Sequence, residues 1–333
     1  MRIVSNKELS TYKVLPFDLY TENKGKILEA GEVLTPGKLI MLKNYVKIYT
    51  EDFNNEEESK GLEPDKNTIS APASQLLNFS YEGLDATDFE TVINKDAYVK
   101  TEVQVKIKYF YKRILDLLVQ GYYEEGLLKL NSLVGILKTE VFKQIQKSGK
   151  GSQTRFLGEY EICHPLNVAV VSGLIAQKLD FSSMAVDQVI LSALLHDVGK
   201  LKINLDDSQA LLTMNEDEVK PHTILGYKMI KEEFELPEEI AIVALEHHEN
   251  NDGSGYPRGL SNDFISEYSQ IVNVANYYDN LAFNRTHTIV LNNKEALRNM
   301  LEVGTKRFSA KMLYSFIHMF NYDDSKDFND MVI

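Results

Sequence analysis

The chain has 333 residues, 44% of them hydrophobic and 26% charged, a composition that suits about two ordinary folded domains and excludes fibrous and wholly disordered classes. Lys and Arg number 36 against 49 Asp and Glu, a net charge of −13, and such a surface repels duplex nucleic acid and anionic lipid unless positive charge is gathered locally. Met1 to Lys7 has no apolar signal region, no window approaches the roughly 20 apolar residues of a membrane span, and the single cysteine, Cys163, suits a reducing compartment; the expectation is a soluble cytoplasmic protein.

Val14 to Tyr20 reads as a strand, Thr21 to Gly25 as a polar turn, and Lys26 to Leu28 as the strand that completes a hairpin. Thr35-Pro36 offers a helix start for Lys38 to Leu42, and Tyr45 to Tyr49 returns to a strand pattern. Residues 1–95 are therefore read as a small α+β regulatory module. Within it, 51–74 holds seven acidic residues against Lys60 and Lys66 and is read as a linker. From 96 to 150 the chain reads as connecting helices, with apolar residues three and four apart from Ile107 to Val141 and a break at Gly121. Their apolar stripe could serve a homodimer or could pack on the rest of the chain. The remainder, 151–333, carries seven amphipathic blocks (164–179, 186–198, 221–234, 237–248, 267–283, 294–303 and 309–320) without an intervening alternating strand. The fold class expected is mainly α, an all-α C-terminal bundle with a small N-terminal α+β module.

Histidine is scarce, at seven residues, and its placement is uneven. His164, His196-Asp197, His222, His247-His248, and Asn276 with Asp279 each lie near the end or on a polar face of a different helical block. A lone histidine is usually a satisfied core or surface residue. Five blocks that each offer one or two potential ligands make repeated coincidence a poor account. Adjacent helical residues point about 100° apart, so His196 and Asp197 can share one site only where the helix loosens, and Gly199 supplies a stop there. Imidazoles with one carboxylate suit Fe, Mn, Ni, Co or Zn rather than Mg or Ca, and more than four candidate ligands point to two ions.

Four pieces carry a resemblance: Glu161-Ile-Cys-His164, His196-Asp-Val-Gly-Lys200, Pro221-His222, and His247-His-Glu-Asn-Asn-Asp-Gly-Ser-Gly-Tyr-Pro257. Over roughly 150–320 the chain resembles the HD-GYP family, bacterial cyclic di-GMP phosphodiesterases of the HD metal-hydrolase superfamily. The resemblance implies two divalent transition-metal ions, iron or manganese first, with nickel, cobalt or zinc as further options. His196 and Asp197 would form the core of the site, Asp197 bridging the ions. His222, His247 and His248 would complete one ion, and His164 with the residue at 276 the other. Lys200, Gly255, Tyr256 and Arg285 match family positions that contact the cyclic dinucleotide, and Asp197 and Lys200 are the residues assigned to catalysis. A hydroxide bridging the two ions would open cyclic di-GMP to pGpG, and GMP is a conceivable second product.

Two positions depart from the pattern. The family's terminal aspartate ligand falls on Asn276, a neutral and poorer ligand, with Asp279 three residues on as a stand-in. Where relatives with a third ion carry glutamate, this chain has Tyr160, which favours two ions over three. The resemblance thus implies slow or metal-demanding turnover, with two alternatives beside it: a receptor that binds the dinucleotide without brisk hydrolysis, or a hydrolase of another nucleotide.

Overall fold

In the computed structural model, which describes residues 2–4, 6–9, 12–21, 25–34, 38, 42, 47–50, 99–143, 145, 155–203, 216–282 and 291–319, the apolar side chains gather into two cores. The smaller core contains Val4, Leu9, Leu15, Phe17, Leu19, Leu28, Leu34, Leu42 and Ile48. Over it lies an antiparallel sheet of β1 (Arg2–Val4), β2 (Leu19–Tyr20), β3 (Lys26–Leu28) and β4 (Ile48–Thr50), in the order β1-β4-β2-β3. Leu19 faces Leu28, and Tyr49 sits between Ile3 and Tyr20.

The hairpin expected from the sequence is present, but its first strand is shorter than expected. Pro16 has no N–H to donate, so Val14 makes only an isolated bridge with Val33 and regular pairing resumes at Leu19. The last strand is Ile48–Thr50, whereas Tyr45 lies outside the described residues, as do Thr35, Pro36 and the acidic stretch 51–74. Strand β1 and the one-turn helix α1 (Asn6–Leu9) had no signal in the sequence, because three- and four-residue elements are too short to show a period.

The larger core runs from Val99 to Ile317 and is built from helices. Helices α2 (Thr101–Val119) and α3 (Tyr123–Ile136) are separated at Gly121, whose φ of 82° allows the left-handed turn that ends α2. A π-helical turn, Leu137–Phe142, continues α3. Ile107, Phe110, Ile114, Leu127, Leu130 and Val134 are all buried in the same core as the later helices, so these faces pack within the chain.

Beyond them come α4 (Tyr160–Lys178), α5 (Ser183–Leu195), the short α6 (Glu216–Val219), α7 (His222–Lys228), α8 (Glu238–Glu246), α9 (Glu267–Ala282), α10 (Asn293–Val303) and α11 (Ala310–Ile317). Local caps explain several starts. The Ser182 hydroxyl accepts the Ala185 N–H at 3.2 Å ahead of α5, and Asn292 and Glu295 form a reciprocal capping box at α10. Helix α4 packs on α5 and α9, α7 on α8, and α8 reaches both α5 and α9. The expected fold class, mainly α with a small N-terminal strand module, holds. Among the described residues no helix is long and apolar enough to cross a membrane.

Candidate metal centre

Helix α5 delivers the His-Asp pair by ending one residue before it. The Tyr111 hydroxyl of α2 donates to the Leu194 carbonyl at 2.7 Å, tying down the last turn. His196 still has helical dihedrals, but Asp197 has left them, with φ −102° and ψ 7°. A 3-10 turn, Val198–Lys202, follows. This is the loosening that lets neighbouring residues face one site. Gly199 makes it possible, because a Cβ there would run into the His222 carbonyl and the backbone of Gly226 on α7. The same step occurs after α8, where His247 and His248 follow the last helical residue.

The side chains then converge. Asp197 Oδ1 lies 3.2 Å from His222 Nε2 and 3.7 Å from His247 Nε2. Its Oδ2 lies 3.3 Å from His196 Nε2 and 3.7 Å from His164 Nε2. Two ligand groups result, Asp197-His222-His247-His248 and His164-His196-Asp197, each with its donor atoms within 4.8 Å of one another. Asp197 belongs to both.

Hydrogen bonds on the far side of four of the five rings decide which nitrogen faces inward. His196 Nδ1 is 2.7 Å from the Ala193 carbonyl, His222 Nδ1 2.7 Å from that of Val219, and His247 Nδ1 3.0 Å from that of Ala244. A carbonyl only accepts, so these Nδ1 atoms carry the protons and the Nε2 atoms present lone pairs. His164 does the same with Asp279 Oδ2 at 2.8 Å. The consequence is electrostatic: His222 and His247 hold two Nε2 atoms 3.3 Å apart. The buried His196 Nε2 and Asp197 Oδ1 have no hydrogen-bond partner. Lone pairs gathered around one carboxylate repel one another unless a cation lies between them, so this donor set fits borderline transition metals.

Burial, reinforced by the neighbouring imidazoles, holds His247 and His248 well below the usual histidine range, which keeps them neutral and available as ligands. For Asp197, burial alone would raise the carboxyl. The positive charge around it, the Lys200 ammonium on its Oδ2 included, outweighs burial and holds the pKa well below the carboxylate range. Lys200, expected at the substrate, pairs its ammonium with Asp197 Oδ2. Tyr256 stacks on His248 with ring centroids 4.6 Å apart, and Gly255 gives it room, since a Cβ would strike the His248 carbonyl and the Asn250 amide. Arg285 lies outside the described residues.

The two α9 residues named as alternative ligands have different contacts. Asp279, read as a stand-in ligand, is spent on His164 Nδ1, the ring edge away from the cluster, and its Oδ1 lies 3.4 Å from Arg155 Nε. It orients an imidazole and stands outside both ligand groups. Asn276 Oδ1 accepts a hydrogen bond from Asn280 Nδ2 at 2.8 Å.

Several residues that build the site were missed in the sequence. Glu249 uses its two oxygens to accept the N–H groups of Arg258 at 2.7 Å and Leu260 at 2.9 Å, closing the glycine-rich turn that carries Tyr256. Glu246 accepts from Ser266 N at 2.9 Å and from the Arg258 guanidinium, and the Asn273 side-chain amide donates to the Glu249 carbonyl. Buried carboxylates such as Glu246 and Glu249 must find donors, so acidic residues flanking a Gly-Tyr-Pro segment were the available signal.

Residues 140–312 match the profile of the HD domain. The chain belongs to the HD-domain family. The HD-GYP motifs read from the sequence fall inside that matched span, and the recognised relatives agree with them. Over 160 residues the chain is 32% identical to a cyclic di-GMP phosphodiesterase of Thermotoga maritima, covering 47% of this chain and 44% of that protein. It is 38% identical over 117 residues to a cyclic di-GMP phosphodiesterase response regulator of Xanthomonas campestris, covering 33% and 30%. It is 34% identical over 150 residues to the 3'3'-cGAMP-specific phosphodiesterase 3 of Vibrio cholerae, covering 43% and 32%. The matched stretch spans less than half of each of these relatives.

Proposed function

We propose that this chain is a metal-dependent phosphodiesterase that opens cyclic di-GMP to pGpG in the cytoplasm. The observation that carries the reading is a single carboxylate, Asp197, shared by two groups of inward-facing imidazole lone pairs. The names of the relatives, cyclic di-GMP phosphodiesterases among them, support the substrate class. When bound, two divalent ions would supply an activated water and neutralise charge on the phosphoryl oxygens.

The residues of this chain prepare the site for that chemistry. His222, His247 and His248 with Asp197 would hold one ion; His164 and His196, sharing Asp197, would hold the other. Backbone carbonyls and Asp279 fix the tautomers of His196, His222, His247 and His164, so these ligands need no rearrangement when metal arrives. Lys200 offers its ammonium beside Asp197, a local cation against the −13 background and a partner for a phosphate oxygen. Tyr256, braced on His248, presents an aromatic ring beside the ligands where a guanine base can stack. The N-terminal sheet, with its own core, would serve as a regulatory module.

Protein purified without oxygen and loaded with iron or manganese should convert cyclic di-GMP to pGpG, measured by chromatography of the products. Metal-loaded, folded protein that neither binds nor cleaves cyclic di-GMP would overturn the assignment. A second reading, a receptor with slow turnover, is favoured by the neutral Asn276 at the His164 end; tight binding without pGpG would select it. The Vibrio relative's name, cGAMP-specific, makes a mixed cyclic dinucleotide the competitor to include in the same assay.

A further inference from the structure

The two ligand groups differ in what stands behind them, and the difference lies on α9. Asn276 and Asn280 are one helical turn apart and face α4 together. Asn280 Nδ2 donates to Asn276 Oδ1 at 2.8 Å, and Asn280 Oδ1 accepts from the Tyr160 hydroxyl at 2.6 Å. The Tyr160 ring in turn lies flat on His164, with centroids 4.7 Å apart and planes 9° from parallel. The two ends of the relay are buried, Asn276 at 3% and Tyr160 at 8% exposure, while Asn280 between them lies at the surface. Every member of this chain of contacts is neutral. The nearby carboxylate, Asp279, is already committed to His164 Nδ1 and faces Arg155. The His164 end therefore contributes no anionic ligand of its own, its carboxylate Asp279 standing behind the ring, and it shares with the His222 end a carboxylate that Lys200 also engages.

We propose that the Tyr160–Asn280–Asn276 relay keeps the Asn276 amide oxygen turned away from the ligand set, so that the two ions load unequally and the second is exchangeable. This rests on the binuclear reading above and deepens it. The His222 end offers three imidazoles with Asp197 and fills first. The His164 end offers two imidazoles and the already shared carboxylate, and a second dication entering there meets the charge of the first with no new anionic ligand to offset it, the Asp279 charge being faced by Arg155. Occupancy of that end then follows the supply of free metal, and the relay sets the threshold.

The test is manganese binding to the metal-stripped full chain by equilibrium dialysis with elemental analysis, and by electron paramagnetic resonance of the bound ion. The wild type is expected to show two affinities at least about tenfold apart, the scale on which outer-shell partners tune a metal site. Asn280→Ala, which removes the donor holding Asn276 Oδ1, is expected to tighten the weaker affinity about tenfold and to leave the stronger one unmoved. Tyr160→Phe removes a single hydroxyl and should shift the weaker affinity in the same direction, which keeps the test usable if Asn280→Ala does not fold. Two equal affinities in the wild type would overturn the proposal. So would a weaker second site in either variant, because Asn276 would then be a ligand that the relay supports. Wild-type protein that binds no ion at either end would instead sink the phosphodiesterase reading itself, an outcome distinct from both.

Discussion

The two ends of the ligand cluster are built from the same residue types and supported in different ways. At the His222 end, three histidines from α7 and the turn after α8 meet Asp197, and backbone carbonyls fix the tautomers of His222 and His247. At the His164 end, one tautomer is fixed by a backbone carbonyl, the other by the Asp279 carboxylate, with Arg155 behind it. A carbonyl in a helix turn cannot be lost without unfolding the helix, whereas a side-chain support can be changed by one substitution. The first end is therefore anchored in the fold, and the second is adjustable.

The largest effect should come from the residue the two ends share. Asp197→Asn keeps the shape and removes the charge common to both groups, and loss of metal affinity should exceed about 100-fold, the upper range for outer-shell losses. Elemental analysis beside circular dichroism checks this, and full metal content in the variant would break the shared-carboxylate account. Next, His247→Gln and His164→Gln separate the ends. The first should empty the tighter site, and the second should leave one tightly held ion per chain; equal losses would erase the asymmetry. Asp279→Asn should act in the same direction as His164→Gln and more weakly, by about 10- to 100-fold in affinity at that end only. The smallest effect is structural. Tyr111→Phe leaves the buried Leu194 carbonyl without its partner and should cost about 1–3 kcal/mol in urea unfolding, with the ratio of the two metal affinities unchanged.

Much of this site was legible in the sequence because its signals are local. A His-Asp pair ahead of Gly199, a double histidine ahead of a glycine-rich turn, and His222 at the first residue of α7 all depend on where a helix starts or stops, and those points are written in glycine, proline and caps; His164 instead lies one turn inside α4, which begins at Tyr160 and not at the expected 164. Helix boundaries in the bundle followed from apolar spacing, and the break at Gly121 from its freedom at positive φ. What had no local signal was the second tier of contacts. Arg155 and Asp279 are far apart in the chain, as are Tyr160 and Asn280, and no spacing rule links them.

The sequence by itself determined the residue types able to bind metal, the helix ends that carry His196, Asp197, His222, His247 and His248, the fold class and the family resemblance. Only the tertiary structure decided which nitrogen each imidazole turns inward, that Asp279 orients His164 while Asn276 is tied to Asn280, and that Glu249 closes the turn below Tyr256. The physical reason is that helix termini are fixed by neighbours within one turn of chain. The partner of a hydrogen bond across a bundle is fixed by how the helices α4, α5 and α9 pack, which is a property of the whole core.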